Sequence, residues 1–332
     1  MLVISRTPLR VSLFGGGSDY PGYFERKPGA VLGFAINKYI YVSALQLSAF
    51  VDYKFRLSYS RVETAESAAS IEHPMVRALL RHYDYERPTD FSIQADLPSS
   101  AGLGSSSAFT VGFTNLLSSL AGILRTKYEL AREAIYAEQV MLKENVGIQD
   151  QLHASFGGIN RFNFEGDRFN VVPIRISGTD LQELTSWMLL VFTQVKRRAT
   201  KVVEDKVKNI KKQAVDTQLA MMVQQVDRAQ RLLEESKGEA RIREIAEMLH
   251  EGWQLKKSLS NSVSMQMIDE LYDFCRSSGA LGGKLCGAGG GGFLLMIVPP
   301  IRRAAFKAAI GERNCVDLAV DCEGSVILRH GY

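Results

Sequence analysis

Apolar positions along the chain follow two different periods, and the first part favours the shorter one. Val31 to Leu47 and Phe55 to Tyr59 are dense in β-branched and aromatic residues, which fit a pleated surface and predict a sheet. Leu2 to Ile4 and Leu9 to Phe14 read as short strands of the same sheet, separated by Pro8, which cannot donate to a ladder. Asn37-Lys38 interrupts the sheet like a hairpin turn, and Gly15-Gly16-Gly17 makes a turn that side chains would obstruct. Further strands are expected at Phe91 to Ala95, Ile159 to Phe164, Phe169 to Ile174, Trp187 to Thr193, Phe293 to Val298 and Ser325 to Leu328.

The longer, helical period appears at about Pro74 to Tyr83 and Phe109 to Leu120. Thr126-x-x-Glu129 is a capping box that should open a helix running to about Glu144, before Asn145 and Gly147 break it. From about Thr200 to Lys257, Leu219, Met222, Val226, Ala229 and Leu233 recur at three- and four-residue steps, as do Ile242, Ile245 and Leu249. The interruption at Gly238 argues for antiparallel packed helices instead of one long coiled coil. Helices are also expected at about Met265 to Ser277 and Arg302 to Ile310. The pattern is α/β (α+β) in two domains, 1–177 and 178–332, with the boundary around Ser177.

One stretch carries chemistry. Asp96-Leu97-Pro98-Ser99-Ser100-Ala101-Gly102-Leu103-Gly104-Ser105-Ser106-Ser107-Ala108 runs straight into the apolar segment Phe109 to Leu120. Small residues let backbone approach a ligand, and the free N–H groups of a helix N-terminus favour an anion, so the stretch reads as a phosphate loop. It is not a Walker A loop, since no lysine lies in it, nor a dinucleotide fingerprint, since Ser107 stands where the third glycine should be. Gly104-Ser105-Ser106-Ser107-Ala108 comes close to a nucleophile elbow, but a strand should precede one and this loop is Pro/Ser/Gly-rich. A loop that only caps its helix is the remaining reading of these residues alone. A second glycine run, Gly287 to Gly292, satisfies Gly-x-Gly-x-x-Gly but is followed by a strand, so it suits close backbone approach to a site, with Gly289 and Gly290 as candidates.

Pro98-x-x-x-Gly102-Leu103-Gly104-Ser105-Ser106 followed by a small residue resembles the ATP-binding motif of the GHMP kinase superfamily. Thr7 to Tyr20 is similar to that family's first motif and Lys284 to Gly292 to its third, so three motifs in order span most of the chain. Gly15-Gly16-Gly17-Ser18-Asp19, Ile36-Asn37-Lys38-Tyr39 and Gly147-Ile148-Gln149-Asp150-Gln151 look most like the D-glycero-D-manno-heptose phosphate kinases within it. The resemblance implies an S5-like N-terminal domain, a ferredoxin-like C-terminal domain, and ATP with Mg2+ as cofactors. It also implies phosphorylation of the anomeric hydroxyl of heptose 7-phosphate for surface polysaccharide, with a fucose- or galactose-type sugar-1-kinase or a silent sugar- or nucleotide-binding regulator as rivals.

By the same resemblance, Pro98 and Ser100 to Ser107 hold ATP, Arg10 lies near the transferred phosphoryl group, and Gly17, Ser18 and Asp19 meet the substrate's hydroxyls. Glu138 and Asp150 stand twelve residues apart, about the separation of the family's metal-binding glutamate and catalytic aspartate. Ser106 and Glu138 would then hold magnesium, and Asp150 would take the hydroxyl proton or act only through its charge. His153, one turn beyond Asp150, is expected to pack or to support a neighbouring site residue and not to act as a base. Lys196-Arg197-Arg198 is either a solvated helix face or a clamp in which Arg197 and Arg198 hold a phosphate on the substrate.

Composition narrows this little further. With 332 residues, 46% apolar, the chain can bury a large core. A net charge of +4, not gathered into a basic arm, points away from nucleic acid and suits an anionic small substrate. Cys275, Cys286, Cys315 and Cys322 have no zinc-like spacing, and no run has membrane-spanning length or the form of an export signal, so a cytoplasmic protein without a membrane partner is expected. A homo-oligomer is possible.

Overall fold

The computed structural model describes residues 1–48, 50–99, 101–195, 200–260 and 263–330, without the side chains of 200–203, 206, 329 and 330. Ser100, Arg197 and Arg198 lie outside the described residues. The strands are β1 (Leu2–Phe14), β2 (Gly29–Gln46), β3 (Phe55–Ser58), β4 (Val62–Ala65), β5 (Thr89–Ala95), β6 (Ile159–Glu165), β7 (Arg168–Pro173), β8 (Met188–Phe192), β9 (Gly282–Leu285), β10 (Phe293–Ile297), β11 (Cys315–Asp317) and β12 (Val326–His330). The larger sheet runs β12-β1-β2-β5-β3-β4, and β6 pairs with the remaining half of β2 and carries β7 outside it. The smaller sheet runs β11-β8-β10-β9.

β1 and β2 are each continuous, which corrects two expectations. Pro8 does not divide β1, and Asn37-Lys38 is not a hairpin turn. Pro8 pairs with Tyr39 and Leu9 with Ile36, so Asn37 and Lys38 bulge out of the ladder beside the proline, where a missing N–H costs least. The bulge is satisfied from elsewhere: the Asn37 N–H donates to the Ala319 carbonyl at 3.0 Å and the Asn37 side chain accepts the Ala319 N–H at 2.9 Å.

The last strand corrects a third. β12 pairs antiparallel with β1, from Leu2 opposite His330 to Arg6 opposite Val326, so it belongs to the larger sheet and does not complete the smaller one. It covers the edge of β1 that β2 leaves open, and an uncovered edge would be a template for further pairing.

Helix Ser105–Leu120 lies against β1 and β2, with Ala108, Val111, Phe113, Leu116 and Leu117 buried. It begins four residues before the apolar run, so the three serines form its first turn. Thr126 and Glu129 make the expected capping box on helix Lys127–Tyr136. That helix then widens into a π turn, Ala137–Met141, and ends short of Glu144. In the second half, helices Asp216–Glu235 and Gly238–Lys257 pack together on the stripes read from the sequence. No helix among the described residues is long and apolar enough to cross a membrane.

Candidate active site

Four loops meet at one cavity of about 760 Å³: the glycine turn after β1, the serine loop after β5, the segment entering helix Gln149–Phe156, and the glycine turn between β9 and β10. Arg10 and Asp150 join at its centre. The Arg10 Nε–H and one Nη2–H donate to the two oxygens of Asp150, both at 2.7 Å, and an Nη1–H donates to the Gly102 carbonyl at 2.7 Å. Such a fork-to-carboxylate contact fixes both groups in orientation as well as distance. Arg10 is 5% exposed, while 24% of the Asp150 side chain still reaches solvent. The carboxylate also sits in the first turn of its helix, where the peptide dipoles favour it.

Gly104 caps the serine helix at φ +75°, and a Cβ there would lie 3.2 Å from Arg10 Cγ and 3.3 Å from Asp150 Oδ2. Only glycine lets the helix begin so close to the ion pair. Pro98, Gly102, Gly104, Ser105, Ser106 and Ser107 line the cavity. Ala101 and Leu103 are buried beneath that lining: the Leu103 carbonyl accepts the Arg10 N–H at 3.0 Å and the Ala101 carbonyl accepts the Phe293 N–H at 3.2 Å. They tie the loop to β1 and β10.

Asp19 is 1% exposed yet lines the cavity, and its carboxylate accepts the Gly17 N–H at 2.8 Å and the Gln149 N–H at 3.4 Å. It therefore links the glycine turn to the residue beside Asp150. Gly17 and Ser18 are buried within the turn itself: the Gly17 N–H serves Asp19, and the Ser18 hydroxyl lies 2.9 Å from the carbonyls of Gly15 and Ala30. Gly16, half-buried, is the glycine of that turn that lines the cavity. Burial, with Asp19 and Asp150 nearby, pushes the Tyr20 hydroxyl above its ordinary range, which keeps it a neutral donor at this end.

Glu138 faces inward from the π turn and is 1% exposed. Its Oε2 accepts from the Ser107 hydroxyl at 3.0 Å and from the Gln151 amide at 2.5 Å, while Oε1 has no hydrogen-bond partner among the described residues. Burial pushes its carboxyl up to about 7; the hydroxyls of Thr110 and Ser107 and the Gln151 amide pull it down, and the charge of Glu144 adds to the rise. A buried carboxylate oxygen with no partner, beside hydroxyls, is a hard-oxygen set that fits magnesium. Ser107, not Ser106, is the serine in contact with Glu138; Ser106 is exposed towards the cavity.

The raised value has a consequence for stability. A carboxyl whose folded value lies above its unfolded one favours the fold most below about pH 4.5, and that contribution fades as pH rises through about 7. In metal-free buffer, Glu138→Gln should therefore gain in Tm over the parent as pH goes from about 5 to about 8. A Tm difference that does not change with pH would contradict the assignment.

On the second glycine turn, Gly287 and Ala288 line the cavity, and Gly289 and Gly290 are buried behind them. The Gly290 N–H is committed to the Val263 carbonyl at 3.0 Å. A Cβ on Gly287 would lie 2.5 Å from Gly102 Cα, so the two loops touch backbone to backbone. Lys284, which opens the third motif, and Lys256, which sequence reasoning missed, line this wall. An apolar end was also missed: Ile40, Tyr59, His73, Ile93, Leu97 and Phe109. His153 packs as expected; it is fully buried against Phe162, and burial holds it neutral, near 3.

The model of the GHMP kinases N terminal domain matches residues 69–158, and that of the GHMP kinases C terminal matches residues 229–316, together more than half of the chain. A D-glycero-alpha-D-manno-heptose 7-phosphate kinase of Campylobacter jejuni is 29% identical over 310 residues, covering 90% of each chain. A galactokinase of Thermotoga maritima is 24% identical over 318 residues, covering 88% of each. A solved structure described as a D-glycero-D-manno-heptose 1-phosphate kinase from Bacteriodes thetaiotaomicron has a TM-score of 0.73 and 26% identity, over 99% of this chain and 100% of that one.

Proposed function

The chain belongs to the GHMP kinases and is an ATP-dependent sugar kinase, and from that premise we propose that it phosphorylates the anomeric hydroxyl of D-glycero-D-manno-heptose 7-phosphate. The product is the 1,7-bisphosphate, a precursor for surface polysaccharide. The observation that carries the reading is the Arg10–Asp150 pair, standing at the N-terminus of the serine helix within one cavity. Phosphoryl transfer asks mainly for positioning and charge compensation, and these residues can supply both.

The first-turn N–H groups and hydroxyls of Ser105, Ser106 and Ser107 hold the phosphates, and the apolar end beside Phe109 takes the base. Arg10, fixed by Asp150 and the Gly102 carbonyl, offsets charge on the moving group. Asp150 receives the acceptor hydroxyl's hydrogen bond and orients it, and Asp19 accepts from a neighbouring hydroxyl. Ser106 and Glu138 would hold magnesium, with Ser107 orienting Glu138; the ion supplies charge neutralisation of the phosphates when bound. Arg197 and Arg198 are proposed to add charge for the 7-phosphate. The 29% identical Campylobacter relative supports the choice of sugar.

ADP release over a panel of free and phosphorylated sugars tests the substrate. Heptose 7-phosphate should give the highest kcat/KM; a higher value for galactose or fucose would overturn the heptose assignment and keep the kinase. Ser106→Ala and Glu138→Gln should each raise the magnesium needed for half-maximal rate by about tenfold, since the first removes a hard oxygen ligand and the second removes the negative charge of one. An unchanged requirement in both would remove them from the metal site.

A further inference from the structure

We propose that Lys256 and Lys284 form a phosphate subsite on the glycine-rich wall of the cleft. Lys256 ends helix Gly238–Lys257, and its Nζ donates to the carbonyls of Leu285 at 2.7 Å and Gly287 at 2.6 Å. Lys284 lies on β9 and reaches across to β1, where its Nζ donates to the Leu13 carbonyl at 2.7 Å. Both line the cavity, and both residues are only 5% exposed.

Lysine is a strongly hydrated point charge that is seldom buried so far, because removing its water is costly. Here the carbonyl oxygens fix where each ammonium sits. A phosphate entering the cavity therefore meets two charges that are already desolvated and already placed, the condition under which charge-assisted hydrogen bonds are strongest. The Cys286 thiol, at the start of the same turn, reports their convergence: burial pushes it up, while the charges of Lys284, Lys256 and Arg10 all pull it down. Three cations from β1, β9 and a helix end thus act on one point of the wall.

The bound group is a phosphate monoester or a terminal phosphate. It comes either from the acceptor, which rests on the sugar-phosphate reading above, or from ATP. Inorganic phosphate titrated calorimetrically into protein free of nucleotide, sugar and metal tests the subsite without depending on either. Lys256→Met and Lys284→Met should each weaken phosphate binding by about tenfold or more. Competition then identifies the source: displacement by a sugar phosphate assigns the acceptor's phosphate, and displacement by a non-hydrolysable ATP analogue assigns the donor's. Either result supports the subsite. Phosphate affinity unchanged in both folded variants overturns it. Should the variants not fold, the lysine ammonium resonances of the parent protein decide: two buried lysines shift on phosphate addition, and the absence of any such shift overturns the subsite.

Discussion

Asp150→Asn lowers turnover at saturating substrates by about 10²- to 10⁴-fold and leaves ATP affinity within about twofold. In the proposed site the carboxylate serves the acceptor and not the nucleotide, so the loss should fall on kcat. Asparagine keeps the size but removes the charge, and its NH2 group would confront the Arg10 donors that now meet Asp150 oxygens at 2.7 Å. Part of the effect therefore comes from a misplaced guanidinium. Single-turnover rates with separately measured ATP binding check this, and near-normal turnover at saturation would remove Asp150 from the chemistry.

Arg10→Met should lower kcat by about 10²- to 10³-fold, because the cation proposed to offset the moving charge is lost together with the clamp on Asp150. It also destabilises the fold by about 1–3 kcal/mol, less than for a fully enclosed pair, since 24% of the Asp150 side chain reaches solvent. Arg10→Lys restores only part of the rate, because an ammonium cannot make the two-pronged contact. The double variant, Arg10→Met with Asp150→Asn, should be no slower than the worse single one, as expected of groups acting as a unit. Additive losses would mean that the pair does not act together.

The parts of the fold legible in the sequence are those set by local physics. The capping box at Thr126, the stripes of helices Asp216–Glu235 and Gly238–Lys257, and a small-residue loop leading into a helix all depend on near neighbours in the chain. What escaped depends on distant partners. β1 runs through Pro8 because Ala319 satisfies the bulge opposite it, and β12 joins β1 from the far end of the chain. Neither leaves a local trace.

The site divides in the same way. Resemblance points to Arg10, Asp19 and Asp150 through their motifs and to Glu138 through its spacing from Asp150, and the structure brings Arg10 and Asp150 into contact. Lys256 looks like an ordinary charge at a helix end and Lys284 opens the third motif without a role read for it, and only the tertiary fold turns them into a buried wall. A glycine run gives no sign of which of its peptides faces the cavity. Gly287 and Ala288 do, and Gly289 and Gly290 do not.

Phosphorus NMR of the reaction mixture tests the central claim most directly. With ATP, magnesium and heptose 7-phosphate, a second sugar phosphate resonance should grow as ADP appears, coupled to the anomeric proton, while the 7-phosphate signal persists. ADP formation with no phosphate on the anomeric carbon, or none at all with this sugar while another accepts the phosphoryl group, would contradict it.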